Sequence, residues 1–162
     1  MIGSHWNAVA FAAAALALAG CASSPPSSFY TLTATATSSS TTTVPSYGVS
    51  IGPVTVPETV DRPQLALQIS ANQVALAEFH RWAEPLASGI AQAVAENLRR
   101  LLGTSRIAAS PGVVGGSLEY RVALSVVRFE SKLGNSAELD ILWTIENASG
   151  GAIRTGRSTI VQ

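Results

Sequence analysis

Charge is missing from the first third of this 162-residue chain: no Asp, Glu, Lys or Arg precedes Glu58. The whole chain carries nine Arg, one Lys, eight Glu and two Asp, for a formal net charge of zero. Without a positive excess there is no electrostatic footprint for nucleic acid. Cysteine is almost absent. Cys21 stands alone, which excludes an intrachain disulfide and a Cys-rich zinc site. The imidazoles are His5 and His80, and His80 has no thiol, second imidazole or carboxylate pair near it in sequence to share a metal. No cofactor is expected, because no metal-ligand cluster and no phosphate-binding glycine loop is present. A match to the nucleophile-elbow pattern, Gly48-Val49-Ser50-Ile51-Gly52, lacks its context. An elbow needs a helix directly after the serine, and Pro53 and another strand-like run follow here. The sequence gives no reason to expect an enzyme.

Against this background the N-terminal third reads as a segment with a job of its own. Ala8 to Ala19 is an apolar run of Ala, Val, Phe and Leu. It is shorter than the roughly 20 residues a membrane-spanning helix needs and matches the core of a secretory signal. It ends in Leu18-Ala19-Gly20-Cys21, which resembles a bacterial lipobox. Residues 1–20 are therefore expected to be a lipoprotein signal peptide and Cys21 the lipidated residue. Met1 to Asn7 lacks the Lys or Arg usual in such signals. One acyl chain anchors a protein only marginally, at about 0.8 kcal/mol per buried methylene, so a triacylated cysteine implies near-permanent attachment. Ala22 in place of Asp points to the outer membrane, with the protein facing the periplasm. Residues 21–46 are expected to be a flexible Ser/Thr/Pro/Ala tether, too polar to order itself. Phe29 and Tyr30 interrupt it, as a short strand paired with the domain or as a partner contact.

Residues 47–162 are expected to fold as one domain. The spacing of Leu86, Ile90, Ala93, Val94, Leu98, Leu101 and Leu102 predicts one long helix with a single buried face. Pro85 fits its first turn and Gly103 its C-cap. Tyr47 to Val56 reads as a strand bent at Gly52-Pro53. Leu65 to Leu76 reads as a hairpin with Asn72 in the turn, and Glu78 to Trp82 as the approach to the helix. Arg106 to Ala109 suggests a short strand. Gly115 onward, Ala137 onward and Ala152 onward predict three long strands in an antiparallel meander, with Ser131 to Ser136 and Asn147 to Gly151 as turns. Their charged residues are expected on a solvated face. The fold class is α/β, a mixed and largely antiparallel sheet on one long helix; the alternative is an α+β two-layer sandwich.

Several motifs then coincide. Ile51-Gly52-Pro53-Val54-Thr55-Val56-Pro57, Asp61-Arg62-Pro63-Gln64, Arg81-Trp82-Ala83-Glu84-Pro85-Leu86 and Ala95-Glu96-Asn97-Leu98 resemble the ABC-type transport auxiliary lipoprotein family, the paraquat-inducible protein C or YmbA-like group. Phe29-Tyr30-Thr31-Leu32, Tyr120 to Glu130 and Leu142-Trp143 are similar to it too. The resemblance implies an outer-membrane lipoprotein without hydrolytic chemistry. It implies work with an MCE-domain channel protein and inner-membrane transport components that move lipid between membranes. Family members usually close with a further C-terminal helix, so a domain lacking it, truncated after the last strand, is expected here. Candidate partner contacts are Phe29, Tyr30, Arg81, Trp82 and Glu84, with Trp82 equally readable as core. A homo-oligomer is allowed by exposed sheet edges. A periplasmic lipid-binding carrier is the competing reading.

Overall fold

The computed structural model describes residues 24–38, 44–110, 118–132 and 134–162. Cys21 and the expected signal peptide lie outside the described residues, as does Gly115-Gly116. The elements in chain order are β1 Ser28–Tyr30, β2 Val49–Thr55, β3 Gln64–Ser70, β4 Gln73–Trp82, α1 Leu86–Leu102, β5 Ile107–Ala109, β6 Tyr120–Lys132, β7 Ser136–Asn147 and β8 Ala152–Val161. They form a mixed fold with two sheets where one was expected. A five-stranded sheet has the order β5-β2-β6-β7-β8 and a three-stranded sheet the order β1-β4-β3. In the larger sheet β2 runs parallel to both β5 and β6, and β6, β7 and β8 form the expected antiparallel meander. In the smaller one β3 and β4 make the expected hairpin, and β1 joins β4 in parallel.

Helix α1 lies over β2 and β5, where Val49, Ile51, Ile107, Leu86, Ile90, Ala91 and Ala95 are buried together. β3 packs on β6 beyond the helix, and the Trp82 ring meets Phe129 edge-on at 6.0 Å between centroids. β2 bends where its register shifts between Ile51 and Val54, at the cis Gly52–Pro53 bond. Gly103 caps α1 in the left-handed conformation (φ 64°), its N–H donating to the Arg99 carbonyl.

Four details of the sequence reading change. Pro85 is the N-cap residue and not part of the first turn; its carbonyl accepts from the Ser88 and Gly89 N–H groups at 2.9 and 3.1 Å. Glu78 to Trp82 continues β4, with His80 to Trp82 paired to β1 and Arg81 to Gln64 of β3. Ser131 likewise belongs to β6 and not to the turn. Leu101, expected in the buried helix face, is 44% exposed. The buried stripe rotates along the helix, from Leu86 and Ile90 to Ala91, Ala95, Leu98 and Leu102. The small Ala91 and Ala95 let the backbone approach the sheet, and Leu101 falls off that stripe.

The polar face of the meander is also less solvated than expected. Asp140 is only 4% exposed. Arg157 Nε donates to Asp140 Oδ1 at 2.8 Å, its Nη2 donates to Oδ2, and Thr159 Oγ1 adds a long 3.5 Å bond. The Arg157 guanidinium holds the Asp140 carboxyl below the usual aspartate range, against the opposing effect of burial. On the other face of the same strands Trp143 lies flat over Gly156 and donates from Nε1 to Ser158 Oγ at 3.2 Å.

Two outcomes follow for stability. A Cβ at position 156 would sit 2.2 Å from Trp143 Cζ2, so Gly156→Ala should destabilise the domain by about 1–3 kcal/mol, read as a lowered urea midpoint with altered Trp fluorescence. A depressed folded-state pKa stabilises above the unfolded-state value, about 3.9 for Asp, and that contribution fades as pH falls through the lower folded value. The stability gap between the native chain and Asp140→Asn should therefore be widest near neutral pH and shrink below about pH 4. A gap that stays constant down to pH 2 would mean that the pair does not hold Asp140 ionised.

Candidate docking surface

The motif segments that are distant in sequence meet at one end of the small sheet. β1 lies against the C-terminal end of β4, in the register Ser28–His80, Phe29–Arg81 and Tyr30–Trp82. Ala83 N–H donates to the Tyr30 carbonyl at 2.8 Å and Trp82 N–H to the Pro63 carbonyl at 2.7 Å. The Phe-Tyr, Asp-Arg-Pro and Arg-Trp-Ala-Glu-Pro-Leu segments are thus stitched together through their backbones. The last two of these segments form a cleft of about 350 Å³ lined by Asp61 to Pro63 and Trp82 to Leu86.

The five candidate side chains divide between two faces, since side chains alternate along a strand. Trp82 turns inward onto Phe129 and is half-buried, forming the wall of the cleft. Glu84 is half-buried beside it, accepts from Gln92 Nε2 at 2.7 Å and lies over Gly89 of α1. Tyr30 shares the Trp82 face, and its hydroxyl is 2.7 Å from His80 Nδ1. Phe29 and Arg81 point to the opposite face, Phe29 being 65% exposed, and Arg81 Nε donates to the Glu78 carbonyl at 3.1 Å. His80 is therefore engaged by a tyrosine hydroxyl. Among the described residues no three His, Cys, Asp or Glu side chains gather into a possible metal site. Ser50 is buried inside β2, between Ala108 of β5 and Arg121 of β6.

The segment after β1 departs from the flexible tether expected from its composition. Residues 31–38 lie along α1 as a strap, with Leu32 against the core. Asn97 Oδ1 accepts from both Thr35 N–H and Ala36 N–H, at 3.0 and 2.8 Å. Arg100 Nη1 donates to the carbonyls of Ala34 and Ala36 at 3.0 and 3.4 Å. Glu96 braces Arg100 and Arg99 at 2.9 Å each, and these cations, Arg100 foremost, hold its carboxyl below the usual range. Asn97 and Arg100 as strap-holding residues were not foreseen. The available signal was an asparagine inside a strongly predicted helix, where that residue is a weak helix former.

Residues 30–162 match the family described as the ABC-type transport auxiliary lipoprotein component. Among solved structures, the chain is similar to protein XCC0632 from Xanthomonas campestris, assigned to DUF330. The TM-score is 0.70 at 14% identity, covering 84% of this chain and 78% of that one. A second crystal structure, of an uncharacterized protein, aligns with a TM-score of 0.61 at 15% identity over 85% of this chain and 79% of its own. At such identities these two establish the fold. No curated protein sequence matches the chain. No helix among the described residues is long and apolar enough to cross a membrane.

The strap gives this surface its most direct test. Each bond accepted by Asn97 is worth about 0.5–1.5 kcal/mol. Asn97→Ala should therefore speed hydrogen exchange at Thr35 and Ala36 on the order of tenfold, with exchange in β2 and β6 unchanged. Unaltered exchange at residues 31–38 would show that Asn97 does not hold the strap.

Proposed function

The chain belongs to the ABC-type transport auxiliary lipoprotein family, and from that premise we propose that it is a membrane-anchored accessory subunit of an MCE-type intermembrane lipid transport system. In this reading Cys21 carries the lipid, the domain faces the periplasm from the outer membrane, and it docks the channel there. The work is binding and positioning, without enzymatic chemistry. The observation that carries the reading is the meeting of two motif segments at the cleft lined by Asp61–Pro63 and Trp82–Leu86. Trp82 N–H joins them at the Pro63 carbonyl, and the Phe-Tyr segment is tied beside them through the Tyr30 carbonyl. The cleft mixes apolar Pro63, Trp82 and Pro85 with charged Asp61, Arg62 and Glu84. That combination suits a protein surface, where a packed centre and a polar rim act together.

A lipid carrier would instead need an apolar cavity of roughly 300–1,000 Å³. The motif cleft, at about 350 Å³, has both acidic and basic walls. A larger one of about 600 Å³ is lined by Gln68, Ser70, Glu130, Lys132 and Asn135 among others. Burying an acyl chain against those groups would strip them of water without compensation, so the docking reading is favoured.

Photocrosslinking probes at Phe29 and at Ala83, both exposed, test this in native membranes. Capture of an MCE-domain protein at Ala83 is the expected result. Phospholipid captured at both positions with no protein partner would instead support the carrier.

A further inference from the structure

The β3–β4 hairpin has a property that partner docking at the cleft does not use. From Pro63 to Ala77 the chain carries no charged residue. Its aliphatic side chains near the turn are nonetheless exposed, Ile69 by 57% and Val74 by 45%. The turn itself, Ala71-Asn72, joins polar but uncharged Ser70 and Gln73. No helix packs on this hairpin among the described residues; its contact with the larger sheet is β3 against β6. Charged groups of β6 stand beside the hairpin: Glu130 and Lys132 share a cleft with Gln68 to Ala71, and Arg128 and Glu130 share another with Gln68 and Val74.

The path of the chain says what lies opposite the turn. Because β1 is parallel to β4, residues upstream of Ser28 approach from the turn side of the hairpin. Cys21 is seven residues before Ser28, a segment that extends to about 23 Å at most. Gln73, at the turn, is likewise seven residues before His80, the partner of Ser28. With the strap held on α1, the leash is thus no longer than the hairpin arm. A lipid on Cys21 keeps the membrane surface within reach of the turn.

We propose that the β3–β4 turn, with Ile69 and Val74, enters the interfacial layer of a phospholipid bilayer beside the lipid anchor. The hairpin then acts as a second point of contact that fixes how the domain stands on the membrane. An uncharged segment with exposed aliphatic side chains is suited to the headgroup and upper acyl layer, which such elements penetrate by about 5–10 Å. Penetration stops there, because the hydrocarbon region would leave the open backbone edge of β3 without hydrogen-bond partners. At that depth Lys132, which shares a cleft with the turn and with Glu130, would meet the lipid phosphates. This inference rests on lipidation of Cys21.

The lone native cysteine makes a direct test available. The full lipoprotein is reconstituted into vesicles of phosphatidylethanolamine and phosphatidylglycerol. An environment-sensitive fluorophore is placed in turn on Ile69→Cys, Val74→Cys and, at the β7–β8 turn, Ser149→Cys. Intact mass reports the lipid on Cys21. Blue-shifted emission and quenching by spin-labelled lipid at positions 69 and 74, with neither at 149, is the expected result. Emission at 69 and 74 that matches 149 and is quenched by aqueous iodide, on chains shown to be lipidated, overturns the hairpin contact and leaves the anchor intact. Shielding of 69 and 74 from both lipid and aqueous quenchers points to a protein partner and also overturns it. Chains without lipid on Cys21 would overturn this proposal and the anchored reading together.

Discussion

Helix α1 has to bury β2, the parallel-paired strand of the larger sheet, and the arrangement of the other elements depends on that. β2 is hydrogen-bonded on both sides by parallel neighbours, and parallel strands are stable chiefly when both faces are covered. Val49, Ser50 and Ile51 are all buried, and Ile51 has no solvent exposure. Burying a side chain of that size contributes about 1.5–3 kcal/mol, and β2 with β5 concentrates such residues under α1. Close approach is set by Ala91 and Ala95, not by the larger leucines. The helix is then used up over β2 and β5, and the sheet beyond β6 must find cover elsewhere. The small sheet supplies part of it through Trp82 on Phe129. Over β8 a glycine lets Trp143 lie flat on the strand itself.

The strands and the helix were legible because each has a period that only one geometry satisfies. The alternation from Ala137 to Ile145 and the three- and four-residue spacing from Leu86 onward left little choice, and the Gly-Pro bend in β2 was marked by residue type. What was not legible depended on contacts far apart in sequence. Glu78 to Trp82 has no strong alternation, and its end is held as strand by β1, which pairs with His80 to Trp82. Asp140 sits in a regular polar phase of β7, so its burial could not be inferred from β7 alone; Arg157 and Thr159 of β8 close over it. Splitting into two sheets likewise follows from where β4 finds partners, which periodicity does not encode.

The strap shows the same limit most clearly. A Ser/Thr/Ala stretch without charge cannot build a core, and composition alone therefore reads it as free chain. It is ordered here by main-chain groups: two N–H donors and two carbonyls of residues 34–36 meet Asn97 and Arg100. Any small residue offers the same backbone. The information lies on the helix, in an asparagine and an arginine whose partners are more than sixty positions away in the chain.

Holding the strap also changes what a membrane tether means for this domain. A flexible chain from Cys21 to Ser46 would have a root-mean-square reach of about 25–30 Å and would leave orientation unspecified. With residues 28–38 held on β4 and α1, Cys21 stands only seven positions before the first paired residue, Ser28. The chain then leaves the domain along one edge of the small sheet. The motif cleft lies at the end of that edge away from the hairpin turn, since β4 runs from Gln73 at the turn to Trp82 at the cleft. Ten residues of strand separate the two, about 30 Å of rigid spacing. A domain anchored at the turn end, as proposed, would offer its cleft on the side facing away from the membrane. The pairing of β1 with β4 sets the direction in which the chain leaves the sheet, and Asn97 and Arg100 hold the segment that follows β1.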